Sequence, residues 1–417
     1  MSRRLHRNLR RSWLTNSALQ PLRVLVIGGS IGGLTAACLL RDAGHDVEVH
    51  ERSPHELEQR GAGIGFLRAC SRYLAERADI NLDDISVTTN EILYLGRDDS
   101  ALHDAKHTYR FSSWNTVYRQ LLGAFGSDRY HLDRHAVEVQ SDEQSATVVF
   151  ADGSALSADL VVAADGIGST LRTQLLPDAR AEYSGYVAWR GTVSEADLPA
   201  GIQLRLGDAI TYHVFANSHI LVYPIPSLDG SVEPGERLLN FVWYRNYLDG
   251  GDLHSLLTDK DGVLRELSVP PGFVTPTHVD EMRATAAARL PPTIASVVTQ
   301  VEEPFLQVVY DISIPRMRFG RVCLIGDAAF AVRPHAAAGT AKAAEDAWTL
   351  AQLLESGRAL DDALDRWETK QLTLGKELLD RTRRIGSRSQ VLNSWKAGDP
   401  ELIFGLHAPG DEDPGDV

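Results

Sequence analysis

The stretch Arg23–Leu34, RVLVIGGSIGGL, joins a short aliphatic run to a glycine-rich turn. An unbroken run of valine, leucine and isoleucine is typical of a buried parallel strand. The helical pattern LTAACLLRDAG follows and ends at Gly44, and the alternating segment DVEVHER indicates a second strand. This order predicts a βαβ unit whose first turn meets a helix N-terminus, where nucleotide pyrophosphates bind.

The glycine turn differs from the usual dinucleotide fingerprint G-x-G-x-x-G at one position, because Ser30 stands where the second glycine is expected. Serine adds a Cβ atom, but its hydroxyl can donate to a phosphate oxygen. An acid at the end of the second strand, here Glu51, is placed to bond a ribose hydroxyl. A purely structural turn and a solvated strand-end charge are the alternatives. The predicted cofactor-binding residues of this unit are Gly28, Gly29, Ser30, Gly33, Glu51 and Arg52.

Composition limits the class of protein. The chain has 417 residues, 43% of them hydrophobic and 24% charged, as in a globular protein of two or three folding units. No apolar run has the length of a membrane-spanning helix. The three cysteines are far apart in the sequence, which suggests neither a disulfide framework nor a zinc site. We therefore expect a cytoplasmic protein.

Charge is distributed unevenly along the chain. Residues 1–23 contain six arginines and no acid, whereas the rest of the chain carries 36 basic and 56 acidic residues. Such an acidic body argues against nucleic acid as a partner. No separate apolar segment follows the twin arginine near the start, so we interpret residues 1–20 as a disordered extension and not as a targeting signal. The acidic end APGDEDPGDV is interpreted as a solvated tail.

The order of patterns along the chain predicts an α/β fold with a Rossmann-like nucleotide-binding domain interrupted by an inserted sheet. Alternating segments such as YSGYVAWRGTV, HILVYPIP and RLLNFVWYRN indicate that the inserted sheet is mostly antiparallel. Two long helices are expected over residues 336–355 and 359–390. The predicted divisions are the extension (1–20), the nucleotide-binding domain (21–179), the sheet domain (180–315), the second part of the nucleotide-binding domain with the C-terminal helices (316–395) and the tail (396–417).

Two later motifs specify the nucleotide. ADGIGSTLR places Asp165 after one buried strand, and LIGDAAFAVRPHAAAGTAKAAEDAWTL places Gly326 and Asp327 after another. Together with the glycine turn and in this order, they resemble the motifs of single-component FAD-dependent aromatic hydroxylases of the para-hydroxybenzoate hydroxylase type. The resemblance covers about residues 22–406.

The late motif of that family reads G-D-A-A-H-x-x-x-P-x-x-G-x-G, followed by E-D-A. The chain departs from it at Phe330, where the family has histidine, and at Ala337, where it has glycine. The matching positions are Gly326, Asp327, Ala328, Ala329, Pro334, Gly339, Glu345, Asp346 and Ala347. The missing glycine puts the exact backbone approach to the cofactor in doubt, but not the helix that follows.

The resemblance implies FAD as the bound cofactor, with Asp327 bonded to its ribityl chain. It also implies that the helix expected from Ala336 directs its N-terminal N–H groups at the flavin pyrimidine edge, where reduced flavin is negatively charged. Further cofactor contacts are implied for Asp165, Gly326, Pro334 and Gly339. Arg119, in TVYRQLL, matches a family arginine that contacts the cofactor, with a surface helix arginine as the alternative.

The family's chemistry implies NADH or NADPH as a transient co-substrate without a Rossmann domain of its own. Reduced flavin and O2 then form a C4a-hydroperoxide that hydroxylates a small phenolic or hydroxypyridine-type ring. The segments YVAWRG, ILVYPIP, NFVWY and RPHAAAG are most similar to the hydroxypyridine-hydroxylating branch, which also tolerates serine at the second fingerprint position.

Deprotonating a ring hydroxyl makes the ring electron-rich, so a base is expected near the substrate. His219 and Tyr223 lie four residues apart on a predicted strand and therefore share a face. His335, beside Pro334, is a third candidate. His213 is a weaker one, and Trp189 with Arg190 could contact an anionic substrate. Each of these side chains could instead be structural.

Other enzyme classes lack support in the sequence, since the motifs HExxH and GxSxG are absent. The alternatives that stay open are a tailoring oxygenase acting on a larger metabolite, by epoxidation or Baeyer–Villiger insertion, and a non-catalytic flavin-binding module. A flavin halogenase is disfavoured because W-x-W-x-I-P is missing. We expect a small aromatic substrate and O2 as partners, neither nucleic acid nor a membrane, and a homodimer is compatible with the sequence.

Overall fold

The computed structural model describes residues 20–57 and 63–411. Most of the predicted extension, the start of the glycine-rich segment QRGAGIGF and the end of the predicted tail lie outside the described residues. The strands are β1 (Arg23–Ile27), β2 (Asp46–His50), β3 (Gly63–Gly65), β4 (Val87–Leu95), β5 (Ala101–Ser113), β6 (Tyr130–His131), β7 (Ala136–Ser141), β8 (Ala146–Phe150), β9 (Ala155–Ala158), β10 (Leu160–Ala163), β11 (Glu182–Ser194), β12 (Ala209–Phe215), β13 (Ser218–Ile225), β14 (Leu238–Asn246), β15 (Ser268–Val269), β16 (Phe305–Asp311), β17 (Arg318–Phe319) and β18 (Val322–Leu324).

Helices cover the faces of the sheets. They are α1 (Ile31–Asp42), α2 (Arg68–Glu76), α3 (Trp114–Phe125), α4 (Thr170–Leu175), α5 (Ala200–Leu206), α6 (Gly251–Leu257), α7 (Pro276–Arg289), α8 (Pro292–Gln300), α9 (Gly339–Glu355) and α10 (Leu360–Gln390). Among the described helices, none is both long enough and apolar enough to cross a membrane.

The first sheet has the order β17-β18-β10-β1-β2-β6. Strands β18, β10, β1, β2 and β6 run parallel, and β17 is antiparallel to β18. β1 is buried from Val24 to Ile27, as is typical of a parallel strand that is covered on both faces of its sheet. This is the predicted Rossmann-like arrangement, interrupted in sequence between β10 and β17.

The second sheet has nine strands in the order β15-β16-β11-β14-β13-β12-β4-β5-β3. It is mostly antiparallel, as predicted, but β12 pairs with β4 in parallel. Three of its strands, β3, β4 and β5, precede residue 180, within the predicted nucleotide-binding domain. The predicted boundary at 180 therefore does not separate the sheet from the nucleotide-binding domain. Polar residues dominate ALHDAKHTYR, so the sequence pattern does not indicate strand β5.

The two faces of the nine-stranded sheet belong to different cores. Alternate residues such as Tyr186, Leu221 and Tyr244 pack into the core shared with the nucleotide-binding domain. Their neighbours, such as Trp189 and Ile220, pack into a separate core under helices α5 to α8. We call the first the inner face and the second the outer face. The inner face is the one that a cofactor bound to the first sheet can reach.

Gly33 provides a direct test of the tight turn between β1 and α1. A Cβ atom at Gly33 would lie 1.9 Å from the carbonyl oxygen of Gly28, whereas one at Gly123, inside α3, would have no neighbour within 4 Å. Gly33→Ala should therefore unfold the turn and abolish FAD binding. Gly123→Ala should be neutral or stabilise by up to about 1 kcal/mol, because alanine favours a helix interior. Flavin content after purification measures both, and equal occupancy in the two variants would contradict the prediction.

Candidate active site

The predicted cofactor residues follow four neighbouring strands at the same edge of the first sheet. Gly28 follows β1, Glu51 follows β2, Asp165 comes two residues after β10, and Gly326 comes two residues after β18. Because these strands are adjacent and parallel, their carboxyl ends form one continuous edge. Ligands of open α/β sheets bind in the crevice outside such an edge.

The glycine turn is built by close backbone packing. Gly28 has φ +100°, and a Cβ atom there would lie 2.3 Å from the carbonyl oxygen of Ala164. Ser30 is the N-cap residue of α1 in extended conformation, and its side chain makes no capping hydrogen bond. The serine hydroxyl and the helix N-terminus thus stay available for a pyrophosphate. Gly29 contacts Tyr130, whose hydroxyl donates to the Gly29 carbonyl oxygen at 3.0 Å.

Glu51 is buried and holds the turn in place. One carboxylate oxygen accepts from the Gly29 N–H at 2.9 Å, and the other accepts from the Ser53 N–H at 2.8 Å. A ribose hydroxyl donating to Glu51 would use a remaining lone pair of the same oxygens. Arg52, also predicted to bind the cofactor, is exposed beside it.

Asp165 is used mainly by the protein itself. Its carboxylate accepts from the Ser169 hydroxyl at 2.6 Å and from the Leu171 N–H at 3.3 Å, at the start of α4. Arg172 then donates to the carbonyl oxygens of Ile167 at 2.6 Å and Ala328 at 3.2 Å, and so connects the two late motifs. Burial raises the pKa of Asp165, and its hydrogen bonds oppose this shift.

Asp327 differs from the other acids of this edge because its carboxylate has no hydrogen-bond partner within the described part of the chain, and its side chain is solvent-accessible. Surrounding protein still removes much of its hydration and raises its pKa, while the charges of Lys342 and Arg172 act in the opposite direction. An unpaired acceptor at this position fits the ribityl hydroxyls of FAD. Together with the available Ser30 hydroxyl, it shows that the residues present suit the cofactor.

A buried ion pair supports this turn. Gly326 has φ +58°, and its N–H donates to Asp346 at 2.8 Å. The ammonium group of Lys342 donates to the same carboxylate oxygen at 2.7 Å, one helical turn earlier on α9. Burial raises the pKa of Asp346 to about 6, although the charge of Lys342 opposes the shift. Lys342 was not among the residues predicted from the sequence.

The segment before α9 contains the second departure from the family motif. Pro334–Ala336 forms a short 3-10 turn, Ala337 has φ 54°, and α9 begins at Gly339, three residues later than the predicted helix. A left-handed conformation costs a residue with a Cβ atom about 1–2 kcal/mol, which explains why glycine is usual there. The Cβ atom of Ala337 also lies against Gly65.

Arg119 lies exposed on α3 and donates to the carbonyl oxygen of Leu228 at 3.3 Å. This contact joins α3 to the loop after β13. Its predicted contact with the cofactor stays a prediction.

The inner face brings two predicted base candidates together with residues that the sequence analysis missed. His219 lies opposite Tyr244 in the β13–β14 register, and their rings are 4.6 Å apart. The ring of His335 lies 5.3 Å from His219 and 4.7 Å from Tyr244. The hydroxyl of Tyr186 is 2.7 Å from Nε2 of His335. We call Tyr186, His219, Tyr244 and His335 the imidazole–tyrosine cluster.

Two elements from the C-terminal region complete the surroundings of this cluster. Gln390, at the end of α10, places its side-chain nitrogen 3.2 Å from Nδ1 of His219, and the ring of Trp395 stacks on His219 at 4.7 Å. A Cβ atom at Gly386 would lie 2.8 Å from both His335 Nε2 and the Tyr186 hydroxyl, so glycine is needed there. Trp395 and Tyr94 also form part of the wall of a pocket of about 340 Å³.

Both histidines of the cluster are uncharged at neutral pH. Burial lowers the pKa of His219 to about 3 and lowers the pKa of His335 well below its ordinary value, with the neighbouring imidazole adding to the second shift. Burial also raises the pKa of Tyr186. Nδ1 of His335 has no hydrogen-bond partner within the described residues. The cluster thus offers polar atoms without net charge.

Tyr223 shares the inner face with His219 but has different partners. Its hydroxyl donates to the carbonyl oxygen of Gly63 at 2.9 Å, and its ring stacks on Phe111 at 4.2 Å. Arg190 donates to the same carbonyl oxygen at 2.6 Å. Burial raises the pKa of Tyr223, and the charge of Arg190 opposes this shift.

The other two candidates lie on the outer face. Trp189 is fully buried in the outer core and donates to the Tyr247 hydroxyl at 3.2 Å. His213 lies opposite Ile220 and has Nδ1 2.8 Å from the carbonyl oxygen of Leu95. Neither side chain faces the cofactor edge. The contacts of both side chains are with the protein itself, which is the structural alternative.

We expect the stability of the protein to fall as the pH decreases below about 6.5. In the unfolded chain histidines bind protons near that pH, whereas burial keeps His50 and His219 neutral down to about pH 4 and 3 when folded. Each contributes a slope of up to about 1.4 kcal/mol per pH unit in this window. Denaturant unfolding between pH 5 and about pH 7 measures the slope. His219→Asn should make it shallower and the exposed His254→Ala should not; equal slopes in all three proteins would contradict the assignment.

Comparison with known proteins agrees with this geometry. Residues 183–311 match the family described as FAD binding domain-like, residues 275–382 match FAD binding domain, and residues 26–56 match NAD(P)-binding Rossmann-like domain. The last match covers the glycine turn and Glu51.

The chain is 37% identical over 385 residues to 2,6-dihydroxypyridine 3-monooxygenase of Paenarthrobacter nicotinovorans, covering 92% of this chain and 96% of that protein. A solved structure of 2,6-dihydroxypyridine-3-hydroxylase from Arthrobacter nicotinovorans superposes with a TM-score of 0.88 at 36% identity, covering 94% and 98% of the two chains. FAD-dependent urate hydroxylase of Klebsiella pneumoniae subsp. pneumoniae is 27% identical, covering 90% of this chain and 93% of that protein.

Proposed function

The chain belongs to the FAD-binding monooxygenase family, and we propose that within it the protein hydroxylates 2,6-dihydroxypyridine or a closely similar electron-rich ring. The proposal of this substrate rests on the identity of 37% over 92% of the chain to an enzyme named for it. FAD is the bound cofactor and NAD(P)H the co-substrate of the monooxygenase.

The imidazole–tyrosine cluster supports this proposal from the side of the structure. It is buried on the inner face, and His335 lies two residues before Ala337, next to the turn that precedes α9. Its polar atoms are uncharged, and aromatic rings of Tyr244 and Trp395 surround them. Such a site suits a small flat ring with hydroxyl groups better than a large or highly charged metabolite.

Ser30, Glu51 and Asp327 would hold FAD, and the bound cofactor would supply the oxidising chemistry with O2 and NAD(P)H. The protein's own contribution is to orient the ring and to move a proton. Nδ1 of His335, which lacks a partner, accepts the proton of a ring hydroxyl, and the Tyr186 hydroxyl holds the imidazole in place through Nε2. A neutral imidazole is the form that can accept this proton.

Burial of the cluster also excludes water. His219, Tyr186 and Tyr244 are at most 3% exposed. A dry site strengthens each hydrogen bond to the substrate and limits side reactions with water. The side-chain nitrogen of Gln390 lies within hydrogen-bond distance of Nδ1 of His219 and so orients this imidazole.

We further propose a cytoplasmic location, supported by three buried cysteines that are all free thiols. A homodimer stays a proposal that the measured mass in solution will test.

Substrate-stimulated NAD(P)H oxidation tests the proposed function. We expect purified protein to retain FAD and to oxidise NADH or NADPH slowly alone, and much faster with 2,6-dihydroxypyridine. Salicylate and uric acid are the comparison rings. Stimulation by one of them but not by 2,6-dihydroxypyridine would keep the monooxygenase and overturn the substrate; the absence of bound flavin would overturn both.

Tyr223→Phe should leave FAD bound but lower the yield of product per NAD(P)H oxidised by several-fold. The lost hydroxyl ties β13 to Gly63, and without this bond the inner face beside the ring is less well ordered. Product and hydrogen peroxide, measured together against NAD(P)H consumed, give the coupling. Unchanged coupling and rate would remove Tyr223 from the mechanism.

A further inference from the structure

Outside the flavin site, three side chains with metal-ligand chemistry lie together on one face of the first sheet. His50 on β2 and His131 on β6 are direct partners in the parallel register, and Glu48 precedes His50 by two residues and so shares its face. One potential ligand atom from each of the three lies within 4.8 Å of the others. The imidazole rings of His50 and His131 stack with centroids 4.9 Å apart.

His50 is the residue that calls for an explanation. Its side chain is 3% exposed, yet neither ring nitrogen has a hydrogen-bond partner within the described residues. Nε2 lies 3.5 Å from a carboxylate oxygen of Glu48, which is too far for a good hydrogen bond. Buried polar atoms are usually paired, so two unpaired nitrogens in one ring indicate a missing partner.

From this arrangement we propose that Glu48, His50 and His131 bind a divalent transition-metal ion such as Zn²⁺. Two imidazole nitrogens and one carboxylate oxygen are a usual protein ligand set for zinc, with water in a fourth position. Bonds of about 2.0–2.2 Å require the ligand atoms to approach one another more closely than they do in this arrangement. Glu48 and His131 are only partly buried and can make that adjustment, whereas Phe150 packs against the His50 ring at 5.0 Å.

Neighbouring charges orient the carboxylate and set the strength of the site. Arg129 donates to one oxygen of Glu48 at 2.8 Å, which leaves the other oxygen directed at His50. Outer partners of this kind fix metal ligands in position. Arg23, 3.9 Å from Glu48, and Arg134, near His50, oppose a cation, but Arg129 and Arg134 are themselves paired with Asp46 and Asp152. We therefore expect moderate affinity.

The site is coupled to the cofactor edge through the backbone. The carbonyl oxygen of His50 accepts from the Gly28 N–H at 2.9 Å, and that of His131 accepts from the Glu51 N–H at 2.8 Å. A metal ion that joins β2 to β6 would hold the two strand ends that position the glycine turn and Glu51. It would thus stabilise the folded, FAD-binding state, because it binds that state in preference to the unfolded chain.

A calorimetric titration of the metal-stripped holoenzyme with Zn²⁺ tests the proposal. It needs no turnover, so its result is independent of the proposed substrate. The protein should carry no affinity tag. We expect about one ion to bind per chain, and Co²⁺ to give absorption bands at wavelengths where oxidised flavin does not absorb.

Glu48→Gln and His131→Ala alter the partly buried ligands and should each weaken binding at least about 10-fold, because loss of even an outer partner of a ligand costs about 10- to 100-fold. His254→Ala, on the exposed surface of α6, is the control and should bind as the unaltered protein does. If Zn²⁺ does not bind, or binds equally to Glu48→Gln, His131→Ala and the control, the proposal is wrong. His50→Ala is used only if the circular dichroism spectrum shows that it folds.

Discussion

Replacing Asp327 by alanine is expected to weaken FAD binding by about 10- to 100-fold, the loss that corresponds to one hydrogen bond accepted by a charged group. Asp327 is the acid of the cofactor edge whose carboxylate is unpaired within the described residues. The carboxylates of Glu51 and Asp165, in contrast, accept hydrogen bonds from backbone N–H groups and from a serine hydroxyl. The structural cost of losing Asp327 should therefore be small and the cost in cofactor affinity large.

The affinity is measured by titrating the apoprotein with FAD and following the quenching of flavin fluorescence. Asp252→Ala, exposed on α6 over the outer face, is the matched control and should not change the affinity. Asp327→Asn keeps one oxygen acceptor and should fall between the alanine variant and the unaltered protein. Unchanged affinity in Asp327→Ala would show that the carboxylate does not contact the cofactor.

Replacing His335 by alanine is expected to lower kcat by about 100-fold or more while FAD stays bound. Positioned general bases contribute factors of this size. The loss should concern proton transfer, because the histidine has one nitrogen bonded to Tyr186 and the other unpaired. Tyr186→Phe keeps the ring and its packing but removes the hydrogen bond, so we expect a smaller loss in the same parameter.

These variants are compared by kcat and by flavin content. His254→Ala serves again as a histidine control away from the site. A substrate that is already ionised at the assay pH should restore much of the lost rate in His335→Ala, since no proton then has to be removed. If kcat is unchanged, or if the loss only follows loss of flavin, His335 is not the base.

Most residues of the cofactor edge could be predicted from the sequence because the motifs that mark them are local. The turn at Gly28, the acid at Glu51 and the Gly326–Asp327 pair each follow a short aliphatic strand, and parallel strands necessarily bring such residues to one edge. Patterns could not show which acids the protein itself uses. That distinction depends on partners such as Ser169 and Leu171 meeting Asp165 in three dimensions.

The substrate side was harder to predict because it depends on strand faces and long-range register. Alternation in YVAWRG separates Tyr186 from Trp189, but the sequence does not tell which face meets the cofactor, and Trp189 proved to be on the outer one. Tyr244 reaches His219 only through the β13–β14 register. Trp395 comes from far along the chain. Strand β5 was missed because polar, partly exposed residues dominate its first half.

The decisive test of the proposed hydroxylation is the incorporation of oxygen into 2,6-dihydroxypyridine under isotopically labelled O2. With FAD-loaded protein and NAD(P)H, we expect a product heavier by one oxygen atom, and that atom should carry the label. Mass spectrometry of the product reads both properties at once. Unlabelled oxygen in the product, or NAD(P)H oxidation that yields only hydrogen peroxide with every ring tested, would contradict the claim.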